Sequence, residues 1–360
     1  MMSSTLQHPS HKRRTLILRA ALNAIAIASF VGLIGASHVA PSAAASFDCA
    51  KVQQPLDKII CATPELSAKD EQLAAKYNAA MALLSPTGHD ILRQGQRKWL
   101  TFVRTHCTAQ IGQPADPPGR DAAQCLEREY DERLNQLDSA AVKAGGFIFS
   151  RVDDFQLSPG STNEDGGQRG HFGYCVIGYP RIDAPLSSEA KTWNGTWRKW
   201  AGTCAQESHD EAVNADLDIT FDLGLAQNHF IHVSASAYGL FHGAGQPYIS
   251  QSAQWNLILP TLDKLKADDL FKSGSGGQQL IIDRCLAALS RNLPAKWLPP
   301  DPGWGSACLY PDNWRITSEY LMVAIDLSED YFAGVAEADI PWKELKPFLA
   351  PDAPIKLPGN

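Results

Sequence analysis

Apolar positions recur in two rhythms along this chain, helical before about residue 140 and largely strand-like after it. Pro55 opens a short predicted helix that ends near Cys61, because proline is tolerated at a first helical position. Ser67 is placed to cap a second helix, with Asp70 and Glu71 in its first turn. Leu66, Leu73, Tyr77, Ala80, Met81 and Leu84 then follow helical spacing. Ser85-Pro86-Thr87-Gly88 reads as a break. A third helix is predicted from about Asp90 to His106, with Leu92, Trp99, Phe102 and Val103 near one stripe. The Pro- and Gly-containing stretch Ala109–Arg120 reads as loop, and a fourth helix from near Ala122 carries Leu126, Tyr130, Leu134 and Leu137.

Further on the period falls to two. Leu217, Ile219, Phe221 and Leu223 alternate with Asp216, Asp218, Thr220 and Asp222, which gives a strand one dry and one wet face. After a turn over Gly224–Asn228, Ile231, Val233, Ala235 and Ala237 alternate with His232, Ser234 and Ser236 in a partner strand. A more apolar strand is expected over roughly Glu319–Leu327, and helices near Ser187–Trp200 and Gln278–Asn292. Trp193, Trp197 and Trp200 share one helix face and are expected in a core; left exposed, they would form a sugar-stacking platform. Ser158–Gly170 has no periodicity and reads as a linker. The predicted fold is therefore multi-domain: a small disulfide-stapled all-α bundle, then an α+β domain with an antiparallel sheet. The expected boundaries are a signal peptide over 1–45, a helical domain over 46–138, a linker over 139–170 and an α+β domain over 171–352.

The extreme N-terminus changes the picture of where this fold works. His11, Lys12, Arg13 and Arg14 precede an apolar run from Ala20 to Ser37, and Ala43-Ala44-Ala45 offers a cleavage site before Ser46. That is the pattern of a secretory signal peptide; left uncleaved, the apolar run is about long enough to act as an anchor. Arg13-Arg14 also fits a loose twin-arginine pattern, which leaves the export route open. All eight cysteines lie beyond it: Cys49, Cys61, Cys107 and Cys125 in one half, Cys175, Cys204, Cys285 and Cys308 in the other. An even count in each half of an exported chain reads as disulfides, with three pairings open in each half. The expected location is periplasmic or secreted, with membrane contact only through the signal segment. Past Ala45 the net charge is −11, of which −9 falls on residues 139–360. This sign excludes a nucleic-acid binder and suits a cationic partner.

Catalytic patterns are missing. No H-E-x-x-H, P-loop or G-x-S-x-G occurs, and no C-x-x-C that would suggest a zinc or redox site. Phe241-His242-Gly243-Ala244-Gly245 has the look of an esterase oxyanion loop without a nucleophile elbow to go with it. His229 and His232 fall on opposite faces of a predicted strand. Asp216, Asp218 and Asp222 lack the glycine and bidentate glutamate of a calcium loop and read as a solvated strand face. The expectation is a protein without enzyme activity, cofactor or metal.

Phe47-Asp48-Cys49, Ile60-Cys61, Pro64-Glu65-Leu66-Ser67, Leu73, Tyr77, Gln96-Arg97-x-Trp99-Leu100, Cys107, Cys125-Leu126, Tyr130 and Arg133 form an ordered series. Through it residues 47–137 resemble the N-terminal domain of LprI-type lysozyme inhibitors. Tyr179-Pro180-Arg181-Ile182, the hairpin ending at Tyr238, the His242–Gly245 turn, Trp255-Asn256-Leu257, Asp268-Asp269-Leu270-Phe271, Asp330-Tyr331-Phe332-Ala333-Gly334 and Ile340-Pro341-Trp342 form a second series. Through these, residues 172–350 resemble, more loosely, the extracellular domain of the anti-sigma factor RsiV, a module also found beside some peptidoglycan deacetylases. Both resemblances imply contact with lysozyme, by inhibition in one family and by sensing in the other. Common animal lysozymes are strongly basic, which suits the acidic chain. The expected function is a periplasmic lysozyme-binding protein, an inhibitor that blocks the active-site cleft with a loop. The candidate contact residues are Tyr238, His242, Gly243, Gly245, Pro247 and Tyr248, where two glycines permit a tight turn between aromatic flanks. The rival expectation is a peptidoglycan-binding or envelope-stress-sensing module without lysozyme contact.

Overall fold

The computed structural model describes residues 45–108, 122–157, 173–204, 215–241, 249–292, 303–326 and 335–357. The helical part comprises α1 (Pro55–Ala62), α2 (Pro64–Met81), α3 (Pro86–Thr108) and α4 (Ala122–Asp138). Each of the first three starts on a proline, whose missing N–H costs nothing at a helix start. Two starts differ from the predicted ones for this reason. α2 begins at Pro64, so Ser67 lies inside the helix and its hydroxyl donates to the Ile60 carbonyl at 2.8 Å instead of capping. Pro86 opens α3 rather than breaking the chain. Leu66, Leu92, Trp99, Leu126 and Tyr130 are buried at the centre of this bundle.

The second part is built on a seven-stranded sheet, β1 (Ala141–Ala144), β2 (Phe147–Leu157), β3 (Tyr174–Ala184), β4 (Ala215–Ala226), β5 (Phe230–Phe241), β6 (Ile249–Ile258) and β7 (Asp263–Lys264), arranged in chain order. All neighbouring pairs are antiparallel except β3–β4, which is parallel. α5 (Ser188–Ala201) makes that crossover. It lays Trp193 and Trp197 against Phe149 and Trp255, with the Trp197 and Trp255 centroids 4.3 Å apart. Trp193 and Trp197 are thus core, Trp197 being 1% exposed, while Trp200 is half-buried against Trp197 and Trp255. A C-terminal layer follows: α6 (Gly277–Asn292), α7 (Gly303–Cys308), a three-stranded antiparallel sheet of β8 (Trp314–Ile316), β9 (Tyr320–Asp326) and β10 (Val335–Pro341), and α8 (Trp342–Leu345). Its core joins Ile281, Leu289, Trp314, Leu321 and Ile340 to Phe230 of β5.

The region expected as a linker over 139–170 differs in its first half. Residues 141–157 are β1 and β2, and the remainder falls among residues 158–172, outside the described residues. The helices pack directly on these strands. Phe102 of α3 lies 5.7 Å from Phe155 of β2 and 6.4 Å from Tyr174 of β3, between ring centroids. Among the described residues bundle and sheet form one compact unit and share an interface.

All eight cysteines are paired, each within its own half: Cys49–Cys61, Cys107–Cys125, Cys175–Cys204 and Cys285–Cys308. The first ties the leading segment to α1 and the second ties α3 to α4. The third ties β3 to the residues after α5, and the last ties α6 to α7. Each closes a loop of the unfolded chain and contributes on the order of 3 kcal/mol. Such bridges need an oxidising compartment, consistent with an extracellular or periplasmic location. Among the described residues no helix is long and apolar enough to cross a membrane.

Candidate functional site: an acidic face shared by a helix and the sheet

Three buried charges fix where α4 sits. Arg133 of α4 is fully buried; its Nη1 donates to Asp153 Oδ2 at 2.8 Å and to Gln136 Oε1 at 2.9 Å. Its Nε donates to Gln96 Oε1 of α3 at 3.0 Å. Arg151 of β2 donates from Nε to Asp153 Oδ1 at 2.7 Å and from Nη1 to the Gln136 carbonyl at 2.7 Å. Its guanidinium also lies 5.1 Å from the ring centroid of Phe221. Burial alone would raise the Asp153 carboxyl, but Arg151 and Arg133 outweigh it and hold the group below its usual range. Two glycines make room. A Cβ on Gly95 of α3 would stand 3.2 Å from the Asp153 Cβ, and one on Gly178 of β3 would stand 2.9 Å from Arg151 Nη2. One carboxylate between two guanidinium groups therefore joins α3, α4, β2 and β3.

With α4 held in this way, Glu129 and Glu132 come close enough to Asp218 of β4 to act on its charge. Asp218 is pushed up to about 6, first by burial and then by the charges of Glu132 and Glu129. Its Oδ1 is buried and has no hydrogen-bond partner among the described residues. Glu129 is also raised, again mainly by burial, against the opposing pull of Arg128 at 3.3 Å. Glu132 accepts from the Gln136 amide at 3.2 Å. Among the described residues neither Glu132 nor Asp218 has an ion-pair partner. His106 is lowered by burial and by Arg128, so it supplies little compensating charge.

The same face runs on across the sheet. Tyr238 of β5 stands opposite Asp218 in the β4–β5 register and is 46% exposed. Beyond it, Thr220, Asp222, Ser234, Ser236, Ser252 and Gln254 floor a trough of about 400 Å³. Glu132 and Asn135 of α4 form one wall, and Arg315 of β8 lies at the other. The strand face expected to be solvated is therefore uneven. Asp222 is exposed, whereas Asp218 lies partly covered beside α4.

A second concavity lies inside the bundle, a cleft of about 630 Å³ lined by Phe47, Leu56, Leu73, Tyr77, Trp99 and Leu100 among others. His106, Cys125 and Glu129 converge as possible ligand atoms, but Cys125 is oxidised in its bridge and offers no thiolate to a metal. His229 lies exposed in the β4–β5 turn. His232 is buried against Asn256 Oδ1 at 2.9 Å and lowered to about 4, chiefly by burial. Of the candidate contact residues, Tyr238 alone is described. His242, Gly243, Gly245, Pro247 and Tyr248 lie outside the described residues. Glu129 and Glu132 were missed by sequence reasoning, because acids on a helix read as a solvated face.

With the geometry in place, the chain can be set beside known proteins. Residues 49–137, which cover the bundle from Cys49 almost to the end of α4, match the family model described as lysozyme inhibitor LprI. No curated protein matches the chain. Two solved structures are similar to it at low identity. One is a member of the DUF3298 family from Bacteroides fragilis, 14% identical with a TM-score of 0.38, covering 59% of this chain and 96% of that one. The other is a DUF3298 family protein from Pseudomonas aeruginosa, 13% identical with a TM-score of 0.38, covering 59% of this chain and 98% of that one.

Proposed function

We propose that this is an exported lysozyme-binding protein without catalytic activity, an inhibitor that docks on lysozyme through the face of Glu129, Glu132, Asp218 and Tyr238. The observation that carries the reading is the match of residues 49–137 to the lysozyme inhibitor LprI model, since that stretch contains α4 and both glutamates. The looser resemblance of residues 172–350 to the RsiV lysozyme-sensing domain points the same way. Electrostatics supplies the physical reason. Asp218 is raised first by burial and then by the charges of Glu132 and Glu129. Neither Glu132 nor Asp218 has an ion-pair partner among the described residues, and a basic partner would relieve the part that comes from those charges. Tyr238 is an exposed aromatic beside them, the residue type that anchors interfaces. It leads into residues 242–248, the loop proposed to enter the lysozyme cleft and to hydrogen-bond its paired carboxyl groups.

Surface-capture kinetics with a basic animal lysozyme test this, together with hydrolysis of labelled peptidoglycan by that lysozyme. Micromolar or tighter capture, with hydrolysis suppressed, is the expected result. Salt should slow association and leave dissociation nearly unchanged. No capture at micromolar lysozyme, with sedimentation on purified sacculi instead, replaces this reading by the peptidoglycan-binding one. That rival has two of its three platform tryptophans, Trp193 and Trp197, in the core, and the hydroxyl-lined trough would be its remaining surface.

A further inference from the structure

Asp70 of α2 is buried, 7% exposed, and none of the described lysines, arginines or histidines pairs with it. Its Oδ1 accepts from the Tyr130 hydroxyl at 3.0 Å, and its Oδ2 accepts from the backbone nitrogen of Ser46 at 2.7 Å. Ser46 is the residue that follows the Ala43-Ala44-Ala45 cleavage pattern. We infer that cleavage after Ala45 turns this hydrogen bond into an ion pair, in which the new α-ammonium of Ser46 is the counter-ion of Asp70 and locks the leading segment onto the bundle. The inference rests on the signal-peptide reading and is independent of the lysozyme proposal.

The chemistry balances with water as the only co-reactant. A leader-processing peptidase breaks the bond between the Ala45 carbonyl carbon and the Ser46 nitrogen. Water supplies hydroxyl to the carbon and hydrogen to the nitrogen. The departing carboxyl loses a proton and the amine gains one. A backbone N–H that carried no charge becomes a cation where the structure already holds a carboxylate acceptor. The geometry is kept covalently, since Cys49, three residues on, is bridged to Cys61 at the end of α1. The other charged or titratable groups around this corner do not compete. Asp57 of α1 faces Arg104 of α3 at 4.0 Å, and Asp48 pairs with Lys51 at 2.9 Å. Tyr77 of α2 and Tyr130 of α4 stand beside the cleft, and burial together with Asp70 raises Tyr130, which stays a neutral donor.

The linkage has a definite sign. An amine that gains a buried anionic partner has its pKa raised above the ordinary value of about 8. The added stability is therefore fully present below pH about 8 and is lost as pH rises through the raised value. The test begins with intact mass and N-terminal sequencing of the protein exported by a bacterial host. Thermal melts from pH 6 to 10 then compare the chain beginning at Ser46 with the same chain acetylated on its α-amine, each with and without Asp70→Asn. Acetylation keeps the length and the N–H donor and removes only the charge. The free amine should melt higher at pH 6–7, by on the order of 5 °C. The difference should shrink as pH rises through the raised amine value, be nearly gone by pH about 10, and be absent in both Asp70→Asn chains. A mature N-terminus other than Ser46, equal melting of free and acetylated chains at pH 6–7, or a difference that survives Asp70→Asn each overturns the inference.

Discussion

Within about one turn, α4 presents charge to the sheet in two opposite ways. Arg133 is buried and its partner Asp153 also holds Arg151, so opposite charges meet there, although Arg133 Nη2 is left without a hydrogen-bond partner among the described residues. A turn or less before it, Glu132 and the Arg128-paired Glu129 add their charges to the burial that raises Asp218, and a buried carboxylate oxygen of Asp218 is left without a partner among the described residues. Both arrangements face β-strands of one sheet, and the same helix carries both. The first is what a fold needs in order to hold charge away from water; the second is a cost that the fold does not recover from itself. The proposed cationic partner would sit against this uncompensated carboxylate.

The largest effect should come from breaking the paired arrangement. Asp153→Ala leaves two buried guanidinium groups without their carboxylate and should destabilise the protein by roughly 3–5 kcal/mol, read by urea unfolding. A loss below about 1 kcal/mol would mean that the bundle and sheet are held by apolar packing alone. Next comes the exposed aromatic beside the acids. Tyr238→Ala should leave the melting temperature within about 1 °C, as a surface change does. It should weaken lysozyme capture by roughly thirtyfold, chiefly through faster dissociation. Unchanged capture would detach the acidic face from binding.

Asp218→Asn bears on the comparison from the stability side. Asp218 has a folded pKa of about 6 against an ordinary 3.8, so the folded chain holds its proton more tightly than the unfolded chain does. Its contribution to stability therefore falls as pH rises from about 4 to 6. Asparagine removes that dependence. Wild type and variant should be equally stable near pH 4, and the variant more stable by about 1–2 kcal/mol at pH 7, while capturing lysozyme more weakly. A variant less stable at pH 7 would show that Asp218 is a structural group.

The two arrangements were not equally legible. Strands β4 and β5 were plain in the alternation from Asp216 to Ala237, because their dry face holds only apolar residues. Strand β2 alternates too, through Phe147, Phe149, Arg151, Asp153 and Phe155, but two of its buried positions hold charges. A pattern of polar and apolar residues counts these as solvated, so the strand read as linker. Arg151 and Asp153 can be buried only because Arg133 arrives from another element, and local sequence carries no sign of that pairing. The acidic face was hidden for the opposite reason. Glu129, Glu132 and Asp218 each look ordinary where they stand, and only the packing of α4 on the sheet makes them neighbours. Cysteine count gave the bridges but not their partners, which the fold assigns in sequence order within each half.

The smallest effect is the sharpest check on whether burial, rather than contact, separates these charges. Lys98 of α3 and Asp154 of β2 pair at 2.6 Å, shorter than the 2.8 Å of Arg133 and Asp153 in the same seam between bundle and sheet. Their side chains are 38% and 16% exposed, against 0% and 2% for the inner pair. Water and salt reach the outer pair, and Lys98 freed of its partner is solvated instead of stranded. Lys98→Ala should thus cost at most about 0.5–1 kcal/mol by urea unfolding, and the cost should shrink in molar salt. The Asp153→Ala cost should hardly change with salt. Equal costs for the two substitutions would make distance the deciding quantity and remove the reason for treating Asp218 as a group in deficit. A several-fold gap keeps that reason, because the uncompensated carboxylate beside α4 would then sit where compensation counts.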